Sequence, residues 1–493
     1  MTFWSSKAVA VALAIAVFIP IGNRAHGAEA PPLVAPSASS RSPPGCVSTP
    51  LTGRHRTYNV GPGQTYAELT GVPWLSLQAG DIVNIFFRST PYRTFVALKA
   101  QGTDAAPIIV NGVSDANCNL PEISGVDAIY ATDRISTGYN TQYTTDGSVF
   151  FIYRGYADKA KFLTIQNLKI TGGSNGINAV AVEDLLVQNC EITDNHGWGV
   201  FVNTKNNEPH GEETSYRITI RGNRIYGNGI SGSFLYHNLY VQAYRATYEG
   251  NYIGQLRPGA IGSSLKDRSS GTVIRYNMIV AAARALDLVE TDGGHGTVDA
   301  DPLYNDAWVY GNVIIDDDSL PGESSFALIH WGYDNDPAEA RKGTLHFYHN
   351  TVVANMHGDR GSWLALFDQQ SNSNDTSPHN VVEVQNNVIW QSGSASIRMG
   401  KSTGTINFIG KNWISSGWGN GNPWSKNSVA VNGASTLIQG SDPMLDADYR
   451  PIVGSPVIGQ AAGVTPTPVA YEFTGPAGTT ARASAADLGA RGF

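Results

Sequence analysis

The sequence predicts an all-β fold, a right-handed single-stranded parallel β-helix, on three observations. A short Asn-centred pattern recurs along the chain, its period suits a coil, and the composition is turn-rich. The chain has 54 Gly and 22 Tyr among 493 residues, 15% charged residues and a formal net charge of −8. That is too apolar for disorder and typical of a folded chain rich in strands and turns.

The pattern is an Asn followed shortly by Ile or Val. It occurs in "IQNLKI" (Asn167), "VQNCEI" (Asn189), "IRGNRI" (Asn223), "YEGNYI" (Asn251) and "IRYNMI" (Asn277). It continues in "VYGNVI" (Asn312), "FYHNTV" (Asn350), "VQNNVI" (Asn387) and "IGKNWI" (Asn412). Successive spacings are 22, 34, 28, 26, 35, 38, 37 and 25 residues. Periods of this length mark solenoids or propellers. The shortest, 22, is too small for a four-stranded blade and fits one coil. The longer ones then carry loop insertions, where such folds keep their sites. An Asn tolerates the left-handed conformation of a tight bend, and stacked side-chain amides satisfy one another when buried. All nine Asn are therefore expected in one ladder. Coils about 4.8 Å apart then make a rod on the order of 40 Å long.

The ends read differently. Lys7, an apolar run from Ala8 to Ile21, and Ala28-Glu29-Ala30 form a secretory signal pattern, assigned to residues 1–30. The run is short for a membrane span, so a secreted or periplasmic protein is expected, off the membrane once the signal is cleaved. Residues 31–57 form a flexible leader, 58–460 the β-helix and 461–493 a C-terminal cap or tail. In "QTYAELTGVPWLSLQAGDIV" the apolar positions Tyr66, Leu69, Val72 and Leu75 predict a short helix covering the first coil. Of three cysteines, Cys46 and Cys118 are the expected disulfide, with Cys190 a buried apolar residue.

Chemistry concentrates around "SSLKDRSSGTVIRYNMI", Ser263–Ile279. Lys266 lies 11 residues before Asn277 and Tyr240 lies 11 before Asn251, so the two stack in adjacent coils. Alternation about Leu239, Val241 and Leu265 points both outward, and Arg268 shares the face of Lys266. By the same count His237 lies beside Ser263. From Arg245 to Arg284 six cations, Arg257 among them, face two acids, Glu249 and Asp267. From Ala285 to Asp336 there are twelve acids and no Lys or Arg. A cationic strip on an acidic rod suggests a surface for an anionic polysaccharide.

A uronic-acid polymer calls on these residue types. β-Elimination needs the sugar carboxylate neutralised, a base for the adjacent proton and an acid at the leaving oxygen. Arg268 is expected to grip the carboxylate and to lower the pKa of Lys266. Tyr240 is placed as the acid, with His237 as an alternative base or orienting group. Arg257, Asp287 and Glu290 are the expected substrate-binding residues. Asp287, Glu290 and Asp292 also leave open a glycoside hydrolase, which needs two carboxylates, and a non-catalytic glycan-binding rod remains a third reading. No nucleic-acid module, P-loop, dinucleotide fingerprint or Cys/His zinc spacing occurs, so neither cofactor nor nucleic acid is expected, and a monomer is.

Several segments together carry a resemblance: "YNVGPGQTY", "LQAGDIV", "HNLYV", "LKDRSSGTVIRYN", "LDLVE", "WVYGNVI", "KGTLHFYHNTVV" and "GSPVIG". Over about residues 58–490 they resemble the bacterial right-handed β-helix polysaccharide-degrading enzymes of the pectate-lyase-like superfamily. The coil around Lys266 is similar to the catalytic coil of the alginate lyase and chondroitinase B family, which implies Lys266 as the base. That family places two acidic calcium ligands shortly before its Lys, where this chain has Gly259 and Ile261. The resemblance therefore carries over Lys266 alone, and no metal site is expected.

Overall fold

A computed structural model describes residues 50–493, except 132–146, 156–157, 208–210, 293–295, 321–326, 337, 358–364, 370–379, 403 and 422–428. The expected signal, most of the leader and Cys46 lie outside the described residues. Three parallel sheets wind around one core. Among the described residues the first has 13 strands, from Thr57–Val60 to Ala430–Asn432. The second and third diverge at the strand Tyr92–Leu98, whose start pairs with Glu122–Tyr130 and whose end pairs with Phe150–Ile152. Each coil then adds one strand per sheet, as in Tyr244–Glu249, Tyr252–Ile253 and Leu265–Asp267. The chain is a right-handed parallel β-helix.

Period-two alternation sends alternate side chains inward. In the third sheet Leu239, Leu265, Leu286 and Ile329 stack as one fully buried column. The core admits a charged residue at Asp267. Asp267 is buried inside the coil, accepting from Tyr248 Oη (2.7 Å) and Thr272 Oγ1 (2.6 Å) and facing the fully buried Arg341 (3.3 Å). Buried charges survive only when paired. Asp267 is thus committed inward and is no surface partner for Arg268.

The Asn ladder runs along the turn between the first and second sheets, but seven of the nine Asn form it. From Asn223 through Asn251, Asn277, Asn312, Asn350 and Asn387 to Asn412, each amide bonds the next side-chain oxygen at 2.9–3.2 Å. Asn167 and Asn189 stand one position earlier, at the bend itself, with φ of 58° and 54°. In the coil of Asn189 the ladder position is Cys190, whose N–H donates to Asn223 Oδ1 (2.9 Å). In the later coils that bend falls to Gly222, Gly250, Tyr276, Gly311, His349 and Asn386.

The expected N-terminal helix is instead two 3-10 turns, Leu69–Gly71 and Trp74–Ser76, which bury Leu69 and Trp74. Pro73 between them supplies no N–H and disfavours helical geometry in Val72 before it. Past the last coil the chain runs back along the flank. Ala462 N–H donates to Asn386 Oδ1 (3.0 Å), Ala490 N–H to Thr351 Oγ1 (2.9 Å) and Gly478 N–H to Gly250 O (2.7 Å). The segment expected as a C-terminal cap thus makes these contacts with the turns and outer face of the coils. Cys118 is disulfide-bonded, and Cys190 is a free buried thiol whose pKa burial pushes up to about 12.

Candidate functional site

Strand alternation builds the site. In Leu239–Val241, Leu265–Asp267, Leu286–Leu288 and Ile329–Trp331 the middle residue faces outward between two inward neighbours. Register stacks those middle residues as Tyr240, Lys266, Asp287 and His330, continued by Asp368 and Lys401. The expected stacking of Tyr240 on Lys266 is present, and so is His237 beside Ser263, whose N–H donates to His237 Nδ1 (2.8 Å). A column that interleaves carboxylates with basic side chains follows from one residue per coil.

Lys266 is its centre. Its Nζ donates to Asp287 Oδ2 (2.9 Å) and to Asp334 Oδ2 (2.6 Å), and the residue is only 8% exposed. Arg268 Nη2 reaches the same Asp334 oxygen at 3.2 Å. Asp287 also bonds His330 Nδ1 (2.8 Å), with Arg284 at 3.8 Å. Arg284 and Lys401 in turn approach Asp368, at 3.9 and 3.2 Å.

The electrostatics reverse one expectation. Burial and Arg268 push the Lys266 pKa down, but Asp287 and Asp334 outweigh them and raise it above the ordinary lysine value. The resting group is an ammonium, not a neutral base. Burial also opposes the charge of Asp287, yet Lys266 and the His330 hydrogen bond hold its carboxyl well below the usual range. Asp334 is likewise lowered, chiefly by Lys266 acting against burial. Burial and the neighbouring cations drive His237 down to about 3, so it is a neutral imidazole with Nδ1 accepting. Burial raises Tyr240, which stays a phenol beside Arg268.

Glu290 positions Asp334. Its carboxylate accepts the N–H groups of Asp334 (2.7 Å), Asn335 (2.6 Å) and Asp336 (2.9 Å), while Arg268 Nη1 lies 3.3 Å away. At 1% exposed it has no face left for a sugar, contrary to its expected binding role. Asp287 is equally buried and belongs to the charge cluster rather than to a binding surface. Arg257 is not brought in: its guanidinium bonds the Asn195 carbonyl in the turn before the third sheet (3.4 Å).

The expected cationic strip is also absent. Arg245 pairs with Asp301 and Arg275 with Glu249, while Lys266, Arg268 and Arg284 meet Asp287, Glu290, Asp334 and Asp368. Apart from Arg275, which meets Glu249 of the preceding coil, the acids that neutralise these cations come after them in the chain. Beside the cluster stands an aromatic wall. Trp198 stacks on Phe201 at 4.3 Å, Tyr236 lies 4.8 Å from Trp198, and Phe201 lies 5.2 Å from Tyr240.

Sequence reasoning missed Asp334, His330, Asp368 and Lys401. For His330 a signal existed: Ile329-His330-Trp331 repeats the apolar-X-apolar form of Leu286-Asp287-Leu288. Asp334 gives none, because its place depends on how Glu290 folds the following loop.

Residues 107–264 match the family model described as right handed beta helix region. No curated protein matches. The alginate lyase from Paenibacillus sp. str. FPU-7 is similar at 16% identity and a TM-score of 0.42, covering 77% of this chain and 100% of that one. Pectate lyase Pel9A is similar at 12% and 0.39, covering 88% and 96%. The GH136 lacto-N-biosidase from Eubacterium ramulus is similar at 12% and 0.36, covering 78% and 68%. On its own strand register, and on the family match over its central coils, the chain is a right-handed parallel β-helix with a charged column on its third sheet.

Proposed function

We propose that the cluster around Lys266 cleaves a uronic-acid-containing polysaccharide by β-elimination, in a protein exported to the periplasm or medium. One observation carries this reading. Lys266 and Arg268 jointly hold a single carboxylate, that of Asp334, whose side chain at 33% exposed is far more open than those of Asp287 and Glu290. A uronate carboxylate has the same charge and fork, so it exchanges for Asp334 across the two cations. The cations then neutralise the sugar carboxylate and acidify the adjacent C–H. Released from Lys266, Asp334 regains basicity and takes that proton. The C–H electrons form the double bond, and the departing glycosidic oxygen takes the phenol proton of Tyr240.

The corrected Lys266 is thus an electrophilic group in this scheme, not the base. Hydrolysis has less support, since it needs one carboxyl kept protonated. Asp287 and Asp334 are both shifted toward the ionised form, and Glu290 is saturated by backbone N–H groups. The test is incubation with a panel of acidic and neutral polysaccharides. Unsaturated ends absorbing in the near ultraviolet support elimination. New reducing ends without that absorbance mean hydrolysis, and retention without cleavage means a binding rod.

A further inference from the structure

A cavity of about 550 Å³ opens on the outer face of the second sheet, a different face from the Lys266 column. That is within the range of about 300–1,000 Å³ common for small-ligand sites. Its floor is a column of outward residues, Glu122, Lys169, Glu191 and Arg224, stacked by strand register. The loop around the disulfide-bonded Cys118 and the C-terminal return at Ala477 complete the walls.

Most charges of that lining are already engaged. Lys169 pairs with Glu122 (3.1 Å), Arg88 with Glu68 (2.6 Å), and Glu191 accepts from Tyr226 Oη (2.6 Å). Arg224 differs. Among the described residues its guanidinium meets no carboxylate within ion-pair distance and donates no hydrogen bond, and its Nε is buried without a partner. Its neighbours are the faces of Tyr226 (5.7 Å) and Tyr252 (6.0 Å). A buried donor left unpaired is costly unless something supplies the acceptor. A guanidinium fork between aromatic rings suits a planar carboxylate, and the surrounding amides and carboxylates suit hydroxyl groups.

We propose that this cavity is a second binding site, taking a carboxylate-bearing sugar unit on Arg224. The choice of a sugar rests on the polysaccharide reading above; the free guanidinium and the cavity do not. The test is calorimetric titration of the full chain carrying Asp334→Asn, which stops turnover but leaves Lys266 and Arg268 able to bind a carboxylate, with digalacturonate, cellobiose, acetate and inorganic phosphate, the digalacturonate isotherm being read as two sites. Digalacturonate should bind at this site, and Arg224→Gln should weaken that binding at least about tenfold. Arg224→Lys, which keeps the charge and loses the fork, should weaken it less. Digalacturonate binding unchanged in Arg224→Gln overturns the proposal, whether or not the protein cleaves any polymer. Acetate or phosphate binding as tightly as the disaccharide, or cellobiose doing so, also overturns the assignment to an acidic sugar.

Discussion

At the residue scale, what surrounds a side chain decides its chemistry. Lys266 looks like a base when only Arg268 is considered, and becomes an ammonium once Asp287 and Asp334 are counted. Asp334→Asn keeps the shape of the cluster and removes the group placed as base. It should lower turnover by roughly 10²–10⁴-fold while the circular dichroism spectrum is preserved; unchanged turnover would show that Asp334 is not the base. Lys266→Ala is harsher, since it strips a partner from the buried Asp287 and should cost on the order of 3 kcal/mol of stability. The pH dependence follows from His237 and His349, both driven down to about 3 by burial and nearby cations. An unfolded histidine takes a proton near pH 6.5, so between about 6.5 and 3 the unfolded chain binds more protons. Stability must fall as pH falls through that window. Asp287, lowered in the folded state, adds a loss of the same sign once pH drops below about 4. Urea midpoints at pH 7 and 5 measure the slope. His237→Gln, which keeps an acceptor for Ser263 N–H, should make it shallower, and a midpoint that rises on acidification would contradict the assignment.

At the element scale, the ladder separates two jobs that one Asn pattern had merged. "IRGNRI" has Ile two residues after Asn223, whereas "VQNCEI" has it three after Asn189. That one-residue difference moves Asn189 from the ladder to the left-handed bend, where φ is 54°. Asn312 donates to the Ile274 carbonyl (2.9 Å) and accepts from the Asn277 amide (2.9 Å). Asn312→Ala also takes the acceptor from the buried Asn277 backbone N–H (2.9 Å) and should cost about 1–3 kcal/mol. Asn189→Gly meets a conformation that glycine adopts freely and should change stability by about 0.5 kcal/mol or less. Denaturant midpoints of the two variants, compared side by side, check both values; equal losses would mean the two positions are equivalent after all.

At the scale of the whole molecule, the returning C-terminal segment matters as much as any coil. Val388 and Trp413 are outward residues of the second sheet, yet both are 1% exposed because Val457 and Leu488 pack over them. Uncovering each should cost about 1.5–3 kcal/mol. A chain truncated after Asp442 should therefore express with lower solubility and be cleaved faster in limited proteolysis. Equal resistance to protease in the truncated and full chains would rule out that stabilising role.

The sequence by itself determined the coil stack, because period-two alternation and a repeated polar residue at the bend are local features that survive loop insertions. It also placed Tyr240 on Lys266 and His237 beside Ser263, since an equal count from successive Asn residues preserves register where no bulge intervenes. The tertiary structure alone decided the charge of the site. A run of cations followed by a run of acids reads as two patches along the chain, but stacking sets successive coils about 4.8 Å apart and turns the runs into pairs. Asp334 reaches Lys266 across 68 residues only because a buried Glu290 gathers three consecutive backbone N–H groups of its loop. That contact has no periodicity to betray it, and it adds to the larger effect of Asp287 in raising the Lys266 pKa.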